Sequence, residues 1–263
     1  MRGAFALLAL WFLSTAAEAE TPPCSLTRGD TRAIARVVDG ETLALDDGRL
    51  VRLIGALAPR AGDVGAATGS WPPENETRTA LAALAEGRSA TLWHDASAID
   101  RYGQTLAHVM IGADWLQGTL VARGLARAYG RPAIDACAEA LAMIERRARE
   151  EGIGLWTNAA YRVRVASRGD WEGAAGQFHV VSGTVRRVSR GSGEVYVTLG
   201  ARRGRAYPIA AVVAGNRSDL TGGMIPRALV GRRVLVRGWI EQRPGPVIVI
   251  DSKGQLELVD VSQ

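Results

Sequence analysis

Between residues 31 and 55 the apolar positions arrive in short bursts, at 33–38, 42–45 and 50–54, separated by Asp39-Gly40 and Asp46-Asp47-Gly48. Bursts of this length broken by Asp-Gly pairs predict strands joined by tight turns. A stretch rich in Gly, Ala and Pro follows (61–73), and then 74–86 places Leu81 and Leu84 on one face of a helix. Strands are predicted at 89–94 and 105–111 around a turn at 100–103, with helices at 115–128 and 134–150 completing the unit. Gly152 and Gly154 stop the last helix. From 177 the strand pattern resumes, at 178–188, 194–199 and 205–213. A short helix is predicted at 218–229, limited by Pro226, and two more strands at 232–240 and 247–251. Three strands, a helix and two strands is the order of a five-stranded OB barrel. The expected fold class is therefore mainly β with added helices, as two successive barrels. The expected domains are 20–160 and 177–263, joined by a linker at 161–176 whose 166–176 portion is small, polar and charged.

The first 19 residues change the picture of where the chain works. Arg2, the apolar run Phe5-Ala6-Leu7-Leu8-Ala9-Leu10-Trp11-Phe12-Leu13 and the small-x-small triplet Ala17-Glu18-Ala19 form a signal peptide with a cleavage site after Ala19. The run is shorter than the roughly 20 residues a spanning helix needs. The mature chain is thus expected in the periplasm or outside the cell, with no stable membrane span. Two cysteines in an exported chain predict one structural disulfide, Cys24–Cys137; lipidation at Cys24 is the rival reading. The formal net charge of +5 is carried almost wholly by arginine, with Lys253 the only lysine, and fits nucleic acid or another polyanion as partner.

Four segments carry the chemistry. They are Asp39-Gly40-Glu41-Thr42 at a strand–turn–strand tip, and Arg52-Leu53-Ile54-Gly55-Ala56-Leu57-Ala58-Pro59 on and beyond a strand. Asp100-Arg101-Tyr102-Gly103-Gln104 stands before another strand, and Leu120-Val121-Ala122-Arg123-Gly124-Leu125-Ala126 comes last. In order and spacing these resemble the staphylococcal-nuclease (thermonuclease-like) family over residues 31–157, and Gly154-Leu155-Trp156 fits as well. The resemblance implies an OB barrel with added helices that hydrolyses DNA and RNA phosphodiesters with Ca²⁺. That chemistry needs hard oxygen ligands, a carboxylate base and arginines for the charge on phosphate.

Residue by residue, the resemblance also implies a loss. Glu41 stands where the family has a metal-binding Asp, and Arg52 keeps the phosphate-contacting arginine. The family's Asp-Thr-Pro-Glu becomes Leu57-Ala58-Pro59-Arg60, so a metal ligand is apolar and the general base is a cation. The family's late arginine is Gln104. The expected reading is a non-catalytic protein without a cofactor, whose vestigial pocket (Glu41, Arg52) binds nucleic acid or another polyanion through Arg52, Arg60, Arg101 and Tyr102. A residual Ca²⁺-dependent phosphodiesterase, rescued by Asp63, Glu74 or Glu76, is one alternative. An envelope scaffold binding protein partners is the other. Blander roles stand beside these: Arg52 pairing structurally with Glu41, Tyr102 packing at the barrel rim, and Trp71, Trp93, Trp115 and Trp156 as packing residues. His94, His108 and His179 lack metal spacing. The pairs Arg186-Arg187, Arg202-Arg203 and Arg232-Arg233 read as solvated faces or, with Tyr196 and Tyr207, as a groove in the second barrel.

Overall fold

A computed structural model describes residues 21–63, 71–168, 171, 173–191, 193–200, 209–214, 218–221 and 226–259. Residues 1–19, read above as a signal peptide, and Arg202, Arg203 and Tyr207 lie outside the described residues.

The first barrel is built from β1 (Thr27–Val37), β2 (Thr42–Leu45), β3 (Leu50–Leu53), β4 (Ser89–His94) and β5 (Thr105–Ile111). The ladder β3-β2-β1-β4-β5 is antiparallel and is closed by a parallel β3–β5 pairing, with Arg52 opposite Leu106. Its interior holds Ile34, Leu43, Val51, Leu53, Leu92 and Val109, all fully buried. His108 is buried beside this core: its Nδ1 accepts the Trp115 indole N–H at 3.3 Å, and burial pulls its pKa down to about 3, so it stays neutral. Helices α1 (Pro72–Ala85), α2 (Leu116–Ala122) and α3 (Ala138–Glu150) pack outside the barrel.

The second barrel repeats the topology with β6 (Phe178–Gly191), β7 (Glu194–Leu199), β8 (Ala210–Ala214), β9 (Arg233–Gln242) and β10 (Pro246–Ile250). A parallel β8–β10 pairing and an antiparallel β6–β9 pairing close it. The fold class is as expected: two closed five-stranded barrels with helices added to the first.

Several element bounds differ from the sequence reading, each for a local reason. The first strand starts at Thr27 because the polar run 27–32 pairs with β4 while staying largely exposed, so no apolar alternation announces it. Helix α2 ends at Ala122 rather than 128. Gly124 sits at φ +62°, and the Gly124 and Leu125 N–H groups bond back to Val121 and Leu120, a Schellman ending. The released segment Arg127–Ala128 then pairs with Ala56–Leu57. Helix α3 starts at Ala138, not 134, because Ala133 adopts φ +66° and the Ala136 N–H is drawn to the Asp95 carboxylate at 2.8 Å. Of the helix read at 218–229, the described residues form two 3₁₀ turns, Ser218–Thr221 and Pro226–Leu229; Pro226 has no N–H to continue a ladder. In the stretch read as a linker, Arg164–Val165 adds a parallel pairing to β6, and Ala166, Trp171 and Ala174 are buried in the second core.

The barrels share a seam. Leu57, Tyr129, Ala148 and Trp156 of the first meet Phe178, Val180 and Leu235 of the second in one apolar cluster. Beside it lies a buried charge network on α3. Glu145 Oε1 accepts from Arg237 Nη1 at 2.6 Å, Glu145 Oε2 accepts the Ala128 N–H at 2.6 Å, and Arg237 Nη2 donates to Glu257 at 3.2 Å. A disulfide joins Cys24 to Cys137, tying the chain ahead of β1 to the N-cap of α3.

Candidate nucleic-acid interface

The hairpin tip before β2 is shaped by Asp39. One of its carboxylate oxygens accepts the Glu41 N–H at 2.7 Å and the other the Thr42 hydroxyl at 3.1 Å, an Asx-type turn. This turns Glu41 inward, where it is only 1% exposed. Thr42 pairs with Arg52 across the β2–β3 ladder, so Arg52 arrives at the same barrel end. Arg52 Nη2 donates to Glu41 Oε2 at 2.5 Å, Arg60 Nη2 donates to the same oxygen at 2.8 Å, and the Ala58 N–H donates to Oε1 at 2.9 Å. Burial pushes the Glu41 carboxyl above its ordinary value, and the Arg60 and Arg52 charges pull against that. Both oxygens of the Glu41 carboxylate are therefore engaged by donors.

The remaining positions singled out in the sequence lie around it. Leu57 is buried in the seam cluster, so the position that would be a metal ligand now packs between the barrels. Asp100 Oδ1 accepts the N–H groups of Tyr102 and Gln104 at 2.8 and 2.9 Å, closing a turn that leaves Tyr102 74% exposed at its tip. The Arg101 guanidinium lies 4.8 Å from the Tyr102 ring centre. Arg52, Leu57, Arg60, Arg101, Tyr102 and Gln104 all line one cleft of about 700 Å³.

The carboxylates offered as rescuers go elsewhere. Asp63 accepts from Arg127 at 2.8 Å, the Tyr161 hydroxyl at 2.8 Å and the Arg60 N–H at 3.1 Å. Glu74 accepts the Ala61 N–H at 2.8 Å, and Glu76 lines a separate cavity with Trp71. Among the described residues no group of three or more His, Cys, Asp or Glu side chains gathers to hold a metal. Ca²⁺ wants roughly six to eight oxygens. One buried carboxylate, already bonded to two arginines and a backbone N–H, does not fit that ion.

Sequence reasoning missed Tyr129, Arg131 and Trp239 in the cleft lining. Tyr129 and Arg131 follow closely on the segment ending at Ala126, a usable signal. Trp239 comes from β9 of the second barrel, and nothing local marks it. In that barrel the Tyr196 hydroxyl donates to Glu194 at 2.9 Å, and Arg243 grips the same carboxylate at 2.8 and 3.0 Å. Trp93, Trp115 and Trp156 are buried packing residues.

The first unit is thus an OB barrel that carries Glu41 and Arg52 at one end of its first three strands and α1 to α3 on its outside. A family model described as staphylococcal nuclease homologue matches residues 50–158. The thermonuclease of Staphylococcus intermedius is 30% identical over 132 residues, spanning 49% of this chain and 77% of that protein. That of Staphylococcus hyicus is 28% identical over 159 residues, spanning 59% of this chain and 92% of its own length. This chain belongs to the staphylococcal nuclease family. Two of its family-like segments meet directly. A Cβ on Gly124 would lie 2.2 Å from the Ile153 carbonyl oxygen and one on Gly154 2.5 Å from that of Gly124, so both positions require glycine.

Proposed function

We propose that this chain is an exported, non-cleaving member of the staphylococcal nuclease family that binds nucleic acid in the cleft at the end of its first barrel, without Ca²⁺. The observation that carries this reading is the closure of Glu41 by Arg52, Arg60 and the Ala58 N–H. The cleft lining itself carries four arginines, Arg52, Arg60, Arg101 and Arg131, and one carboxylate, Asp100, with Glu41 behind Arg52 and Arg60. This leaves a surplus of positive charge on the surface where a phosphate backbone would lie. Catalysis would need a base and a transition-state cation at positions that hold Arg60 and Gln104. Each such loss commonly costs about 10² to 10⁴ in rate. The signal-like residues 1–19 and the Cys24–Cys137 disulfide support an oxidising compartment outside the cytoplasm. The similarity to two thermonucleases favours a second reading, a residual Ca²⁺-dependent phosphodiesterase.

The test is fluorescence anisotropy with a labelled single-stranded oligonucleotide across a salt series. Binding is expected to fall steeply with salt and to be unchanged by chelator. Salt-sensitive binding of labelled heparin without any binding of the oligonucleotide would assign the cleft to another polyanion. Glu41→Gln separates the two readings further. It removes the charge that occupies Arg52 and Arg60 while keeping an oxygen for the Ala58 N–H. Affinity should rise several-fold, with a salt slope steeper by about 0.7 for each arginine released. A metal-dependent site would instead be weakened by the same change.

A further inference from the structure

Arg52 and Arg60 share Glu41, so the cleft's uncommitted charge sits elsewhere. Among the described residues neither Arg101 nor Arg131 enters an ion pair, and each guanidinium lies over an aromatic ring instead. The two shelves differ in construction. Tyr102, under Arg101, is 74% exposed on a turn. Trp239, under Arg131, projects from β9 and is wedged edge-on against Phe178 at 4.9 Å and Tyr129 at 5.9 Å. Arg131 lies 4.2 Å from the centre of that fixed ring.

A guanidinium stacked on an aromatic face is covered above or below, while its N–H donors lie in its own plane and stay available at the edge. The stack also removes much of the rotamer freedom that binding would otherwise have to freeze. A phosphate oxygen pair is the natural acceptor for such a planar fork. Asp251 lies near enough to Arg131 for the two charges to interact, which tempers the positive charge at that end of the cleft.

We propose that Arg131, held flat by Trp239, is a phosphate-binding residue, and that the two barrels therefore form one composite cleft for single-stranded nucleic acid. This rests on the nucleic-acid reading above. It assigns the second barrel a role in binding through its seam-side strand β9. The barrel's own loop pair at Glu194 and Arg243 is joined by an ion pair. The family match ends at residue 158, so Trp239 lies outside the part of the chain that the family model covers. Single strands suit the site because Tyr102 and Trp239 offer aromatic surface beside the arginine donors, and stacking of unpaired bases on such rings is indifferent to sequence.

The experiment is anisotropy of the full chain with a fluorescein-labelled oligothymidylate over a salt series. Arg131→Ala, at an exposed position, should weaken binding about tenfold and flatten the salt slope by about 0.7. Trp239→Leu leaves the charge unchanged, yet should weaken binding several-fold and flatten the slope in the same way; Trp239→Phe, which keeps a ring, should restore most of the loss. Thermal melts identify any Trp239 variant that fails to fold, and Arg131→Ala then decides alone. Wild-type affinity and slope in Arg131→Ala, with Arg101→Ala weakened, would overturn the composite cleft and leave the first-barrel reading standing. Absence of salt-sensitive binding by the wild type would overturn both.

Discussion

Replacing Arg237 by methionine is expected to destabilise the folded protein by about 3–5 kcal/mol, the range for stranding a buried charge. Arg237 is 1% exposed and Glu145 is 0% exposed, so the carboxylate left behind would have little water to turn to. Arg149 Nη1, at 3.4 Å from Glu145 Oε1, is too distant to replace the 2.6 Å contact fully. The double variant Arg237→Met, Glu145→Gln should recover part of the loss, because it removes the stranded charge along with its partner. Urea unfolding followed by circular dichroism and tryptophan fluorescence reads both effects. An Arg237→Met protein as stable as the wild type would mean that the seam is held by its apolar cluster alone.

The second large effect belongs to the disulfide. Changing Cys24 and Cys137 together to serine should cost about 2–5 kcal/mol, since the bond closes a long loop and restricts the unfolded chain. The separation of 113 residues lies at the long end, where the chain-entropy account predicts the larger figure. The urea m-value should rise as well, because the unfolded chain expands when the tether is cut. Both stability effects converge on α3, which carries Cys137 at its start and Glu145 in its middle. An unchanged midpoint and slope would show that the N-terminal tether contributes nothing.

Much of the first barrel was legible because its hairpins rest on local chemistry: Asp39-Gly40 and Asp46-Asp47-Gly48 turn the chain wherever they occur. The resemblance to the family marked Glu41, Arg52, Leu57, Arg60 and Gln104, and the structure brings these positions together at one end of the barrel. What the sequence could not display was partnership. Arg60 read either as a phosphate-binding cation or as a salt-bridge partner, and the structure bonds it to Glu41. Leu57 read only as a lost ligand; its apolar side chain also supplies packing where the second barrel docks. Trp239 completes a cleft begun in the other domain, and no local pattern records a contact between residues so far apart in the chain. The start of α3 was hidden for a related reason, since it is set by the distant Asp95 carboxylate that draws the Ala136 N–H. Helix α2, by contrast, ends in a local Schellman turn at Gly124.

The central claim is that Glu41, locked between Arg52 and Arg60, no longer serves a cutting site. The most direct measurement incubates the purified protein with end-labelled single-stranded DNA and RNA, with Ca²⁺ from micromolar to millimolar, and resolves the products on a denaturing gel. The predicted result is intact substrate at every Ca²⁺ concentration, identical to that with chelator. Cleavage that requires Ca²⁺ and disappears in Glu41→Ala would contradict the account.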